Sequence, residues 1–265
     1  MYDFAYHRPS TVRQAVSLLS KVQEAKLLAG GQTLIPTMKQ RLASPANLID
    51  LSLVTELAGV ELKGRSLDIG AMTRHADVAN SAVVQENLPA LGALAGKIGD
   101  PHVRHLGTIG GSIANNDPNA DYPAAALGMG ATIITNKRKI TADDFFTGLF
   151  ETALEADEII TKVSFPLVKK AAYVKFPNPA SRYALVGVFV GKRGSEVRVA
   201  VTGAGAGGVF RVKPFEEALE KRFGAKSLEG LSVPATGLAS DIHGSAEYRA
   251  HLIGVLARRA VVAAG

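Results

Sequence analysis

The stretch AGGQTLIPTMKQRLASPANLIDL, residues 29–51, and the stretch LGTIGGSIANNDPNADYPAA, residues 106–125, decide the fold prediction. Each contains a Gly-Gly pair that follows an apolar run and precedes a hydroxyl residue, Thr33 in the first loop and Ser112 in the second. Consecutive glycines expose several backbone N–H groups to one point and lack the Cβ atoms that would keep a ligand away. Such groups of donors bind anions, especially where a helix begins.

Two loops of this kind fit a diphosphate that is held from both sides, and therefore a nucleotide cofactor. Gly-Gly pairs at strand ends are also common as plain turns. The loop residues alone leave both interpretations open.

The residues around the first loop predict a compact βαβ-like unit. A helix is expected from Ser10 to Leu19, with Ser10 or Thr11 as its cap, because apolar residues recur there at the 3.6-residue period. AKLLAGG is a short buried strand that runs into the first loop, and a short helix follows it. NLIDLS, at Asn47–Ser52, is a second short strand.

The residues around the second loop predict a larger unit. GVELKGRSLDIGAMT alternates apolar and polar residues around Gly64, which predicts a β-hairpin. HADVANSAVVQENLPALGALAGKIG predicts two helices that are broken at Pro89. A helix from about Tyr122, a strand that ends at Ile134, a short helix and a last strand before Pro166 complete this part.

The remaining residues predict a three-stranded antiparallel sheet backed by amphipathic helices at Pro214–Phe223 and Ala246–Ala263. The fold class is therefore α+β, in two domains of which the first has two lobes. The predicted bounds are residues 1–167 for the first domain, with lobes of about 1–53 and 54–167, and residues 168–265 for the second.

The composition limits the chemistry that this chain can perform. Apolar residues make up 47% and charged residues 20% of the 265 residues, which is typical of a globular chain with a real core. There is no cysteine, so disulfides, thiol nucleophiles, thiolate-bound zinc and Cys-ligated iron–sulfur clusters are excluded. Redox chemistry would require a bound organic cofactor or a metal held by histidine and carboxylate groups.

Charge and termini favour a cytoplasmic protein that binds neither nucleic acid nor membrane. The net charge is +6, but the basic residues are scattered and the densest cluster, NKRK at Asn136–Lys139, is typical of a solvated hairpin end. The first residues, MYDFAYHRPSTV, lack the apolar core of a signal peptide, and no apolar run reaches membrane-spanning length.

Two further motifs are interpreted structurally. Gly203 to Gly208 match G-x-G-x-x-G after an apolar strand, but no βαβ unit surrounds them, and we interpret them as a loop at a strand end. His102 and His105 have no accompanying carboxylate motif and flank Arg104, so no metal site is predicted.

Taken together, four segments resemble the FAD-binding medium subunit of the molybdenum hydroxylases, the family of aerobic carbon-monoxide dehydrogenase and the xanthine dehydrogenases. Residues 29–51 and 106–125 are similar to its two FAD-binding signatures. IGAMTRHADV, residues 69–78, and ADDFFTGLFETALEADEIITKVSFP, residues 142–166, match the segments between and after them. The resemblance covers essentially the whole chain. It implies a two-lobed FAD domain of the vanillyl-alcohol-oxidase/PCMH type and a smaller C-terminal domain.

The resemblance also implies a set of site residues. Asp121 matches a carboxylate that contacts the ribityl–adenosine part of FAD, Ile160 and Lys175 match flavin-contacting positions, and Tyr183 matches an aromatic beside the flavin ring. His75 is expected at a helix start near the flavin. The implied FAD-binding residues are Ala29, Gly30, Gly31, Gln32, Thr33, Leu34, Thr108, Ile109, Gly110, Gly111, Ser112, Asn115, Asp121, Ile160, Lys175 and Tyr183.

Structural alternatives stand beside three of these roles. Asp121 could cap the helix that begins at Tyr122. Lys175 could be a solvated strand lysine, and Tyr183 a strand core aromatic. The chain also departs from the family: Asn115-Asn116 replace a common His-Ala pair, and KFPNPASRYALVG has an additional Pro pair and lacks the usual charged residues.

The function that the resemblance implies is electron transfer in a three-component enzyme. A large molybdopterin-binding subunit would oxidise the substrate, and electrons would pass through two 2Fe–2S clusters of a small subunit to this FAD, then to quinone, NAD or oxygen. A dimer of heterotrimers is expected, and no residue of this chain is assigned to catalysis. The alternatives are a stand-alone flavin oxidase of the same superfold and a cofactor-free scaffold subunit.

Overall fold

The computed structural model describes residues Met1 to Gly265, and its N-terminal part is a small parallel sheet flanked by helices. The elements are β1 (Ala5–His7), α1 (Val12–Lys21), β2 (Ala25–Leu28), α2 (Leu34–Lys39) and β3 (Asn47–Asp50). The strand order is β1-β3-β2, and both pairings are parallel. Strand β1 was not predicted, because its three residues are mostly exposed and carry no apolar pattern.

The middle part of the chain forms a five-stranded antiparallel sheet with helices packed against it. The elements are β4 (Val60–Lys63), β5 (Ser66–Gly70), α3 (His75–Asn80), α4 (Ala82–Asn87), α5 (Pro89–Gly96), α6 (Pro101–Leu106), α7 (Ile109–Asn115), α8 (Tyr122–Met129), β6 (Thr132–Thr135), β7 (Lys139–Thr141), α9 (Ala142–Phe145), β8 (Phe146–Gly148), β9 (Glu151–Thr152) and β10 (Ile160–Pro166). The sheet order is β4-β5-β10-β6-β7, and β8 and β9 pair separately. The predicted hairpin is confirmed, because β4 and β5 pair across Gly64.

The helical segment after β5 contains more breaks than predicted. The prediction of two helices broken at Pro89 is wrong in number, since Ser81 also ends a helix. The backbone of Ser81 is extended, and its side chain accepts a hydrogen bond from the N–H of Val84, in the first turn of α4. Helix α6 was also missed; there the Asp100 side chain accepts from the Val103 N–H at 3.0 Å.

The C-terminal part is an antiparallel sheet covered by two helices. Its elements are β11 (Lys170–Pro177), β12 (Ala184–Arg193), β13 (Glu196–Thr202), β14 (Phe210–Arg211), α10 (Lys213–Lys221) and α11 (Ala246–Ala264). The sheet has four strands in the order β11-β12-β13-β14 rather than the predicted three, because the two-residue β14 is too short to show a periodicity. Gly203–Gly208 form the loop between β13 and β14, as interpreted above.

The C-terminal sheet has an apolar core on each face. One face packs against α10 and α11, and the other contributes Tyr173, Phe189 and Ala200 to the core of the middle part. On that second face α8 lies directly against β12: a Cβ on Gly191 would be 2.3 Å from the Gly128 carbonyl oxygen. This contact lies near the end of α8, whereas the start of the helix is joined to β11 by side-chain hydrogen bonds from Tyr173 and Lys175 to Asp121. No helix is both long and apolar enough to cross a membrane.

Candidate functional site

The two glycine loops meet at a cleft of about 870 Å³. The first loop joins β2 to α2, and the second begins α7. A Cβ atom on Gly30 would lie 2.2 Å from the Leu106 carbonyl oxygen and 2.6 Å from the Gly107 Cα. Only glycine at position 30 therefore allows the two loops to touch.

The N–H groups of the first loop are available to a ligand. Those of Gly30, Gly31, Gln32 and Thr33 donate to no acceptor in the chain. The carbonyl oxygens of Gly31 and Thr33 already accept the first hydrogen bonds of α2, from Ile35 and Thr37, at 3.1 Å each. Gly31 adopts φ +70°, which favours glycine. A run of unpaired N–H donors beside a cleft fits the phosphates of FAD without a metal.

The second loop differs from the prediction, because its N–H groups are largely used within the chain. The Gly110 N–H donates to the Ala71 carbonyl oxygen at 2.8 Å, and the Gly111 N–H donates to Thr108 Oγ1 at 3.2 Å. A Cβ on Gly110 would lie 2.5 Å from the Ala71 Cβ. Glycine is thus needed at position 110 because α7 packs closely against the segment after β5.

The structure brings most of the sequence-predicted site residues together. All except Ile109 and Lys175 line the cleft: Ala29, Gly30, Gly31, Gln32, Thr33, Leu34, Thr108, Gly110, Gly111, Ser112, Asn115, Asp121, Ile160 and Tyr183. Ile109 is fully buried in the core, and its N–H donates to the Thr73 carbonyl oxygen at 3.1 Å.

Lys175 does not line the cleft but contacts Asp121, which does. Its ammonium donates to Asp121 Oδ2 at 2.9 Å and to the Lys97 carbonyl oxygen at 3.1 Å, and its side chain is 4% exposed. It is therefore not a solvated strand lysine. The other oxygen of Asp121, Oδ1, accepts from the Tyr173 hydroxyl at 2.5 Å. Burial raises the pKa of the Asp121 carboxyl, and the Lys175 ammonium opposes that rise.

Asp121 holds the N-cap position of α8 but makes no side-chain capping hydrogen bond. Its carboxylate is turned toward β11, where Tyr173 and Lys175 fix it at the cleft. The capping alternative is therefore wrong, and the carboxylate is positioned by two residues of the C-terminal sheet.

The other uncertain residues are also placed. Tyr183 precedes β12 and is 46% exposed at the cleft, so it is not a strand core aromatic. Of the two adjacent asparagines, only Asn115 lines the cleft. Asn116 is buried, and its amide donates to the carbonyl oxygens of Gly148 and Glu151 at 2.9 and 2.8 Å.

The side of the cleft formed by the segment before β10 was mostly missed by the sequence prediction. Glu158 lines it and accepts hydrogen bonds from Thr135 Oγ1 at 2.6 Å and from Arg138 Nε at 3.0 Å. The Arg138 guanidinium lowers the pKa of the Glu158 carboxyl to about 2. Glu158 is thus a buried, ion-paired carboxylate that holds this segment in place. No local sequence pattern indicates the pairing, because the partners are far apart in the chain.

His75 also lines the cleft. It begins α3 and is 5% exposed, and its ring centroid lies 5.3 Å from that of Tyr122. Burial, together with the positive charge of Arg104, lowers the pKa of the His75 imidazole to about 4. The imidazole is therefore neutral at neutral pH.

The low pKa of His75 predicts an acid-sensitive stability. Between the unfolded value of 6.5 and the folded value of about 4, the unfolded chain binds more protons, so stability falls as the pH is lowered through this window. We expect wild type to lose about 2 kcal/mol more unfolding free energy than His75→Phe between about pH 7 and pH 4.5. Urea unfolding at the two pH values measures this, and equal losses in both proteins would contradict it.

Comparison with known proteins shows the family of the chain. Residues 2–168 match the family model described as FAD binding domain in molybdopterin dehydrogenase. The chain is 35% identical to the carbon monoxide dehydrogenase medium chain of Hydrogenophaga pseudoflava, over 98% of this chain and 96% of the relative. It is 37% identical to the nicotine 6-hydroxylase medium subunit of Paenarthrobacter nicotinovorans, with the same coverage.

The structural comparison extends the likeness to the whole chain. The crystal structure of quinoline 2-oxidoreductase from Pseudomonas putida 86 superposes with a TM-score of 0.89 at 28% identity, covering 99% of this chain and 97% of that chain. At this coverage the match includes the C-terminal sheet and helices as well as the parts that precede them. The predicted α+β fold with an FAD-binding domain, and FAD as the cofactor, are thereby confirmed. The chain belongs to the molybdopterin dehydrogenase family of oxidoreductases, as an FAD-binding medium subunit of the molybdenum hydroxylases.

Proposed function

We propose that this chain relays electrons through FAD in a three-component molybdenum hydroxylase. Electrons would arrive from 2Fe–2S clusters on a small subunit and leave to quinone, NAD or oxygen, while a large molybdopterin-binding subunit oxidises the substrate. The observation that carries the proposal is the run of unpaired N–H donors at Gly30–Thr33 beside the 870 Å³ cleft, in a chain without cysteine. Bound FAD supplies the redox chemistry, because it exchanges electrons singly or in pairs.

The residues of the chain bind and orient the cofactor. The first loop would hold the diphosphate through its N–H groups, and the contact at Gly30 keeps the second loop against it. Asp121, fixed by Lys175 and Tyr173, would accept hydrogen bonds from the cofactor's hydroxyl groups. Tyr183 would lie against the flavin ring. Ile109 and Lys175, which do not line the cleft, would hold neighbouring cleft residues in place.

The proposal extends to domain division and assembly. Residues 1–167, with lobes of about 1–53 and 54–167, would form the FAD domain, and residues 168–265 a C-terminal domain. The two sequence relatives named above are a medium chain and a medium subunit, which supports assembly with a large and a small subunit. For the complex we propose a dimer of heterotrimers. Carbon monoxide is one candidate substrate, since one relative is a carbon monoxide dehydrogenase chain.

Reconstitution tests the relay. The FAD-loaded chain is mixed anaerobically with the small and large subunits, and flavin absorbance is followed after substrate is added. We expect the flavin to be reduced only when both partners are present, because in the proposed arrangement the substrate is oxidised on the large subunit and its electrons reach FAD through the small one. Direct reduction of the isolated chain by small alcohols or amines would support a stand-alone oxidase instead. Full turnover with the FAD-free chain would support a scaffold role.

A further inference from the structure

The two ring nitrogens of His75 have different surroundings. Nδ1 is buried and has no hydrogen-bond partner. Nε2 also makes no hydrogen bond within the chain, but it lies on the side of the ring that faces Gly107: a Cβ on Gly107 would be 2.6 Å from Nε2. Both His75 and Gly107 line the cleft. Of the two nitrogens only Nδ1 is fully buried without a partner, so Nε2 is the one that a ligand in the cleft could reach.

The surroundings also determine which nitrogen carries the proton. A neutral imidazole has one N–H donor and one acceptor nitrogen. A proton on Nδ1 would bury a donor without an acceptor, which is costly, whereas a proton on Nε2 can be shared with water or a ligand in the cleft. Burial lowers the pKa of His75 to about 4, so this neutral form predominates at neutral pH. His75 is thus an Nε2–H donor directed toward the cleft.

This donor lies at the junction of the two loops. The backbone N–H of His75, as distinct from its ring, donates to the Gly107 carbonyl oxygen at 2.9 Å, which fixes the start of α3 on the second loop. Gly107 is in turn the residue whose Cα would be 2.6 Å from a Cβ on Gly30. Nε2 therefore lies next to the point where the first loop, with its unpaired N–H groups, crosses the second.

We propose that His75 is a further cofactor-binding residue, which donates a hydrogen bond from Nε2 to the diphosphate of FAD at the junction of the two loops. The proposal rests on the assignment of the diphosphate to the first loop, but not on the identity of the partner subunits or of the electron acceptor. It explains why a buried histidine, whose type is usually hydrogen-bonded in protein cores, has no partner within this chain.

Calorimetric titration of the FAD-free protein tests the proposal with three ligands: FAD, ADP and riboflavin. ADP contains the diphosphate without the flavin, and riboflavin contains the flavin without the diphosphate. A hydrogen bond to a charged acceptor supports an expected loss of about 10-fold to 100-fold in affinity for FAD and for ADP in His75→Phe, with riboflavin binding unchanged. His75→Gln, which retains an N–H donor on a side chain of similar reach, should restore much of the lost affinity.

Tyr122→Phe is the matched control. Tyr122 neighbours His75, is fully buried and has a hydroxyl without a partner, so its substitution changes the surroundings of the ring without touching the cleft. We expect all three affinities to remain at the wild-type values. Wild-type affinity of His75→Phe for FAD and ADP, or an equal loss for riboflavin, would overturn the proposal.

A measurement on the wild-type protein avoids any folding defect of the variants. Nitrogen-15 NMR of the labelled histidines, with His75 assigned by comparison with His75→Gln, reports the tautomer and the hydrogen bonding of each ring nitrogen. We expect an Nε2–H tautomer whose Nε2 resonance shifts when ADP is added but does not shift with riboflavin. An Nδ1–H tautomer, or an Nε2 resonance that ignores ADP, would refute the proposal. Neither result affects the electron-relay assignment, which the reconstitution experiment tests separately.

Discussion

Gly30→Val is expected to abolish FAD retention, with at least a roughly 100-fold loss of affinity. A Cβ at this position would lie 2.2 Å from the Leu106 carbonyl oxygen and 2.6 Å from the Gly107 Cα, and both of these atoms belong to the backbone. Because no side-chain rotation can relieve such a clash, the two loops must separate. The unpaired N–H groups of the first loop would then be displaced from the second loop, and the binding site that the two loops form together would be lost.

The measurement is the flavin content of the purified protein, followed by calorimetric titration with FAD. Gly207→Ala is the matched control, since an added Cβ there meets nothing within 4 Å and no positive φ requires glycine. The control should retain flavin at the wild-type level. If Gly30→Val also retains it while circular dichroism shows a folded protein, the contact between the loops is not needed to hold the cofactor.

The second large effect is expected from Lys175→Met, which should lower the unfolding free energy by about 3 kcal/mol. Both partners of the Lys175–Asp121 pair are buried, with 4% of each side chain exposed, so the substitution leaves a buried carboxylate without its cation. The Tyr173 hydroxyl would remain as its only side-chain partner. FAD affinity should fall as well, because Asp121 loses the group that fixes it at the cleft.

The double variant Asp121→Asn with Lys175→Met distinguishes charge burial from lost packing. We expect it to regain part of the stability, because no unpaired charge remains in the interior. Lys63→Met is the control: its partner Glu61 lies 3.0 Å away, but both side chains are largely exposed, so the change should be below about 1 kcal/mol. Chemical unfolding at neutral pH measures all three. Equal small effects at positions 63 and 175 would show that the buried pair is not important for stability.

Local patterns were sufficient to predict much of the fold. The hairpin around Gly64 and the helix capped at Thr11 depend on residues adjacent in the chain, and both are present. The elements that were missed are short or interrupted: β1 and β14 contain three and two residues, and the extra helix break at Ser81 has no proline to mark it. Such elements form because the surrounding chain packs on them, which no local periodicity records.

The sequence by itself determined where the glycine loops occur, that cysteine chemistry is excluded and which family the chain resembles, because all three are properties of residue type and order. Only the tertiary structure decided what those residues touch. It showed that Gly30 allows the two loops to touch and that the N–H groups of the second loop donate to acceptors within the chain. It also showed that Lys175 is buried against Asp121, which lies 54 positions earlier in the chain. The physical reason is that burial and hydrogen-bond partners are set by residues distant in sequence, whereas residue type and order are local properties of the chain.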